Sequence, residues 1–228
     1  MNRVLPSGPL SAKLALVGEA PGEIEEATGI PFHPKAKAGA ELDRWLNAAG
    51  LSRDDIYIDN VIPVRPNKEN DVSVFYRAEP TKTKPVSDAP RWAEFVQYVA
   101  ELKERLTQCR ANVIVPLGRT ALFALYGFSQ MNCPSISKYR GSILDSSLLP
   151  GRKIIPTFHP SPKNPDPTTR FYGIQDLIRA RGDAEFPELR LPERDLVTVW
   201  QWQDVVALLG TWPIDQLTAV DIETLNDE

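Results

Sequence analysis

Cysteine is scarce in this chain: there are two, Cys109 and Cys133, and they form no close CxxC pair. With so few thiols and no export signal, neither a disulfide framework nor a structural zinc site is expected. The opening MNRVLPSGPLSAKL lacks the apolar stretch and small-residue cleavage site of a secretory leader, so a cytoplasmic location is the expectation. No apolar run approaches the ~20 residues needed to cross a bilayer, which excludes a helical membrane-spanning protein. An excess of positive charge is also missing. Lysine and arginine number 26 against 30 acids, a net charge of −4. Because phosphate contacts dominate non-specific nucleic-acid affinity, any such binding would rest on local clusters, such as Lys35 with Lys37, or Lys138 with Arg140.

What is present suits a globular chain. Of 228 residues, 42% are hydrophobic and 25% charged, enough for one well-buried core with something left over. Four short apolar, β-branched runs each close on a polar or glycine-bearing turn: KLALVG (13–18), IYIDNV (56–61), NVIVPLG (112–118) and KIIPTF (153–158). These read as strands. Between them lie helical patterns. Leu42, Trp45, Leu46 and Ala49 fall at i, i+3, i+4 and i+7, and 91–108 carries Trp92, Phe95, Val96, Val99, Leu102 and Leu106. Alternating strand and helix imply an α/β fold, a three-layer α/β/α sandwich around a four-stranded parallel sheet. Chemistry in such folds gathers at the carboxyl ends of the strands.

Residues 67–90 are polar, proline-bearing and aperiodic, and read as a long, mobile surface excursion. A domain is expected over 1–185, with a helix ending near Arg181, followed by a linker over 186–195. From 196 a new strand–helix–strand pattern begins, with a helical run WQDVVALLG, and stops at Glu228 as if inside a second domain.

The strand ends carry GEAPGEIEEATGIPF (18–32), YIDNVIPVRP (57–66), VIVPLGRTAL (113–122), YRGSIL (139–144) and TFHPSP (157–162). In that order and spacing these blocks resemble uracil-DNA glycosylases, most closely the iron–sulfur branch called family 4, over nearly all of 12–181. The resemblance implies an enzyme that flips deoxyuridine out of DNA and hydrolyses its N-glycosidic bond, acting as a monomer. Phe32 matches the aromatic that stacks on the flipped base. Asn60 matches the specificity residue: its amide can accept from uracil N3–H while donating to O4, a pairing cytosine cannot satisfy. Glu19 matches the principal acid, which orients water or stabilises the cationic sugar, and Glu25 a second acid that assists or shapes the pocket. His159 would stabilise the departing uracil anion through a neutral imidazole N–H. Gly18, Ala20 and Pro21 line the same turn. Ser161 and the backbone amides of the two turns would hold phosphates. His33 is outside the family motif and reads as a rim residue.

The sequence departs from that branch in several places. Its four cluster cysteines include one in a KCRP motif, where this chain has PVRP with Val64, so no iron–sulfur cofactor is expected. The link HPKAKAG after Phe32 is two residues longer than usual, and KNPDPTTR replaces the leucine and arginine residues that enter DNA, leaving the wedge unassigned. Gly22 stands where another branch has the tyrosine that excludes thymine's methyl, so larger 5-substituents are conceivable. Two alternatives therefore stay open, a non-catalytic uracil- or DNA-binding module and a glycosylase for a 5-modified uracil. Residues 196–224 resemble the start of the 3′–5′ exonuclease domain of family A DNA polymerases, with Asp221 and Glu223 as its first DxE pair of metal ligands. The other carboxylates of that site are not recognisable. A polymerase domain would be the downstream partner.

Overall fold

The computed structural model describes residues 2–160, 167–190 and 201–210. The chain divides into two compact units, Met1–Arg190 and Leu191–Glu228. Within the second, the described part is a helix, α7 (Trp202–Gly210), over the WQDVVALLG run. Among the described residues no helix is long and apolar enough to cross a membrane.

The first unit is built on strands β1 (Leu14–Gly18), β2 (Ile56–Asn60), β3 (Val113–Pro116), β4 (Leu144–Asp145) and β5 (Lys153–Ile154). They lie in the order β2-β1-β3-β5-β4. Every residue of β1, β2 and β3 is buried, which is why they read as continuous apolar runs: both faces of a parallel sheet are covered by helices. Alternate side chains serve opposite faces. Ala15, Val17, Tyr57 and Ile114 join one core with Phe95, Val99 and Leu102 of α3 (Trp92–Gln108) and Leu122 of α4 (Arg119–Leu122). Leu14, Leu16, Ile56, Ile58 and Val115 join the other, with Leu42, Trp45 and Leu46 of α2 (Lys37–Ala48) and Leu177 of α6 (Pro167–Asp183). Two short helices, α1 (Glu23–Thr28) and α5 (Ile136–Tyr139), complete the unit.

The sheet has five strands rather than four, and the fifth runs against the rest. β4 pairs antiparallel with β5, Leu144 opposite Ile154. A two-residue strand has no readable periodicity, and this one exists only because β5 offers it an edge. The run expected as a strand over 153–158 is regular only through Ile154. Pro156 has no N–H to donate, and pairing resumes as the single bridge Leu117↔Thr157.

The excursion over 67–90 is not a free surface loop. Phe75, Tyr76 and Val86 are all buried in the core beneath α3, and the guanidinium of Arg91 lies 4.3 Å from the Phe75 ring centre. On α3 the sequence pattern also needs amending. Val96 is exposed, and Tyr98 occupies the buried face.

The connection order brings the site together. From β1 the chain moves outward to β2, then crosses to β3 on the other side of β1. The crevice at such a reversal lies outside the carboxyl ends of β1 and β3. Register aligns Gly18 with Asn60 and Val17 with Pro116, so the residues that follow these strands emerge at one level.

Candidate active site

The turn after β1 is tightly specified. Gly18 is a close-approach position: a Cβ there would stand 2.4 Å from Asn60 Oδ1 and 2.4 Å from Phe32 Cε2. Any side chain would displace the amide and the ring that flank it. Pro21 is buried, Glu19 and Ala20 partly so, and the backbone N–H of Ile62 donates to the Glu19 carbonyl at 3.0 Å, tying the turn to the chain leaving β2.

Glu25 closes this turn. Its Oε2 accepts from Gly22 N–H at 2.5 Å and its Oε1 from Phe32 N–H. The carboxylate is buried, and desolvation raises its pKa against the pull of the two N–H donors. Phe32 is held with φ +48°, the left-handed region that a bulky residue enters only at a cost. Glu25 meets that cost through the Phe32 amide. The Phe32 ring is buried between Gly18 and His159, its centre 5.6 Å from the imidazole.

Asn60 ends β2 with its side chain 2% exposed. Neither its Nδ2 nor its Oδ1 has a hydrogen-bond partner among the described residues. A buried primary amide with donor and acceptor both unmatched is costly, and such a group fits a ligand that supplies the complement. Its backbone is fixed from behind. Arg105 of α3 donates through Nε to Asp59 Oδ2 at 2.8 Å and through Nη2 to the Asn60 carbonyl at 3.1 Å, while Asn60 N–H donates to Asp59 Oδ1 at 2.8 Å. Asp59 is itself buried, and desolvation raises its pKa while Arg105 opposes the shift. Sequence reasoning missed this pair, although an acid inside the apolar run IYIDN signals a buried partner.

After β3, Gly118 (φ +87°) lies against His159: a Cβ would stand 2.9 Å from the histidine Cβ. His159 follows β5 and is half-buried. Desolvation lowers its imidazole to about 4, so it is neutral at pH 7 and can offer an N–H. One turn on, the Thr120 hydroxyl donates to Glu19 Oε2, and Tyr76 Oη lies 2.9 Å from Thr120 Oγ1. Thr120 and Tyr76 were also missed, since their partners are far away in sequence.

The structure thus gathers Gly18, Glu19, Ala20, Pro21, Glu25, Phe32, Asn60 and His159 at the carboxyl end of the sheet, with Gly18, Phe32, Asn60 and His159 in mutual proximity. Ser161, Asp221 and Glu223 lie outside the described residues. Arg140 is not turned outward as a free phosphate contact: it donates through Nη2 to Asp176 Oδ1 at 2.5 Å and stacks 4.2 Å from the Tyr172 ring centre. Lys35, Lys37 and Lys138 are exposed.

The donor set does not fit an iron–sulfur cluster held by four thiolates. The chain has two cysteines, of which Cys109 is buried, and burial pushes the Cys133 thiol up to about 11, so it holds its proton. Val64 is buried among apolar side chains. Among the described residues no group of three or more histidine, cysteine or acidic side chains is placed to hold a metal ion.

Residues 5–176 match the model of the uracil DNA glycosylase superfamily. The chain is 33% identical over 182 residues to a type-4 uracil-DNA glycosylase of Thermotoga maritima, covering 79% of this chain and 82% of that protein. It is 31% identical over 183 residues to a type-4 uracil-DNA glycosylase of Saccharolobus solfataricus, covering 79% and 75%. A third, from Archaeoglobus fulgidus, is 30% identical over 161 residues, covering 70% and 71%.

Proposed function

The chain belongs to the uracil DNA glycosylase superfamily, and from that premise we propose that it extrudes deoxyuridine from DNA and hydrolyses the bond between uracil and deoxyribose. The observation that carries this reading is the buried, unpartnered carboxamide of Asn60. Uracil presents an N3–H donor beside an O4 acceptor, the complement of a primary amide; cytosine presents an acceptor beside a donor. Held in the orientation that meets uracil, the amide would face cytosine with donor against donor and acceptor against acceptor, a penalty that separates the two bases strongly.

The remaining residues take roles that their environments suit. Phe32 stacks on the extruded base and helps offset the unstacking cost of a few kcal/mol. As the glycosidic bond lengthens, positive charge develops on the sugar and negative charge on uracil. The Glu19 carboxylate stabilises the first or orients the attacking water. The neutral His159 imidazole donates its N–H toward O2 of the departing anion. Glu25, both of whose oxygens accept backbone N–H groups, shapes the pocket by holding Phe32. No step passes through a metal, and the purified protein is expected to be colourless; stoichiometric iron with absorbance near ~400 nm, the signature of a thiolate-bound cluster, would refute that part. On the sequence resemblance of residues 196–224 alone, we place the glycosylase unit ahead of a polymerase-type domain.

The deciding assay incubates the protein with uracil-containing single- and double-stranded oligonucleotides and then with alkali, which cleaves at abasic sites. Strand cleavage confined to the uracil position is expected. Tight binding of uracil-DNA without cleavage would instead identify a non-catalytic binding module.

A further inference from the structure

Tyr76, Thr120 and Glu19 form a chain of polar groups across the reversal point of the sheet. Glu19 follows β1, Thr120 lies in the first turn of α4 after β3, and Tyr76 belongs to the segment between β2 and α3. Thr120 and Tyr76 are 1% and 3% exposed, so water does not compete for their hydroxyls.

The direction of the chain follows from the proton count. A hydroxyl has one hydrogen to give. Thr120 gives its hydrogen to Glu19 Oε2, so in the 2.9 Å contact with Tyr76 it is Thr120 Oγ1 that accepts and Tyr76 that donates. Tyr76 is suited to this. Its ring packs against Phe95 at 5.2 Å and Phe123 at 5.1 Å, at interplanar angles of 23° and 20°, in a cluster whose two phenylalanine rings are 5.8 Å apart, and this packing fixes where its hydroxyl points. Burial raises its pKa, so the phenol keeps the proton it donates.

We infer that Tyr76 and Thr120 are positioning residues for the glycosylase reaction, a one-way hydroxyl relay that fixes the rotation of the Glu19 carboxylate. The inference rests on the proposed role of Glu19. A carboxylate on a long side chain swings freely unless an oxygen is tied, and electrostatic catalysis depends on charge aimed before the reaction begins. Tying one oxygen to a hydroxyl that is itself held by a closely packed aromatic supplies that aim. It also gives Phe95 and Phe123, which never meet DNA, a geometric link to the acid.

The test is single-turnover excision of uracil from an oligonucleotide at saturating full-length protein, with DNA affinity measured in parallel. Thr120→Val, which keeps shape but removes the donor, is expected to slow excision about 10- to 100-fold, the range for losing a hydrogen bond to a charged group. DNA affinity should stay within about 2-fold, because the bond matters in the chemical step. Thr120→Ser, which keeps the hydroxyl, should restore most of the rate, and Tyr76→Phe, which keeps the stacked ring, should slow it by a smaller factor. Because Thr120 acts through Glu19, Thr120→Val should add nothing in a Glu19→Gln background. If Thr120→Val fails to fold, Tyr76→Phe in the two backgrounds carries the same comparison. Wild-type rates in both Thr120→Val and Tyr76→Phe, or an equal loss whether or not Glu19 is present, would overturn the relay alone. A wild type that leaves uracil in DNA would overturn the glycosylase reading, and the relay with it.

Discussion

Residues 18–32 and 61–91 leave the carboxyl ends of neighbouring strands, β1 and β2, and reach the same crevice by different means. The first segment is held largely by bonds within itself: Glu25 accepts from Gly22 three residues back and from Phe32 seven residues on. The second is held by buried side chains, Val61, Ile62 and Val64 at its start and Phe75, Tyr76 and Val86 farther on, inserted into a core formed by distant parts of the chain. Tyr76 meets Thr120 across 44 residues, and Thr120 meets Glu19 across 101. A segment whose partners lie nearby shows its order as a motif. One whose partners lie far away shows a polar, aperiodic string in which a few aromatics carry the structure.

The largest expected effect would break this comparison outright. Phe75→Ala should cost about 3–5 kcal/mol of stability, the range for removing a buried aromatic side chain, since Phe75 is wholly buried beneath Arg91. Urea unfolding measures it. A cost near zero would mean that 67–90 is a surface excursion after all, and that nothing holds Tyr76 against Thr120.

Next in size are substitutions at the two proposed catalytic positions. Glu19→Gln and His159→Ala should each slow single-turnover excision about 100- to 1,000-fold, equivalent to about 3–4 kcal/mol, with little change in DNA affinity. Wild-type rates for both would show the assignment to be wrong. Asn60→Asp follows, with an expected loss of about 1.5–3 kcal/mol in uracil excision from exchanging a matched amide for a carboxylate. Discrimination against cytosine should fall as well. Competition between uracil- and cytosine-containing oligonucleotides reads both, and unchanged selectivity would remove Asn60 as the reader of the base.

The smallest effect concerns pH. Folding lowers the His159 imidazole to about 4 from its ordinary 6.5. Between those values the unfolded chain binds the proton and the folded chain does not, so stability is greatest above pH 6.5 and declines as pH falls toward 4. For a half-buried ring, partly open to solvent, the loss is about 1 kcal/mol. Unfolding midpoints for wild type and His159→Asn across that window should converge as pH falls; parallel curves would show that His159 titrates normally in the fold.

The apolar runs led directly to β1, β2 and β3, since a strand buried on both faces must be apolar throughout, and the 3.6-residue spacing of Leu42, Trp45 and Leu46 led to α2. The same runs marked where chemistry would emerge, and Glu19, Phe32, Asn60 and His159 all lie beside the strand ends. These features are local: period, turn residues and motif spacing are properties of a short stretch of chain. Tertiary structure alone decided that β4 pairs antiparallel on the edge of β5, that Tyr98 rather than Val96 faces the core, and that Arg140 is bound to Asp176. It also decided the pairing of Asp59 with Arg105 behind Asn60 and the meeting of Tyr76, Thr120 and Glu19. In the last three of these a side chain is satisfied by a group dozens of residues away, and no local pattern specifies that partner. The physical reason is that a hydrogen bond inside the fold needs donor and acceptor in one place, and only packing brings them there.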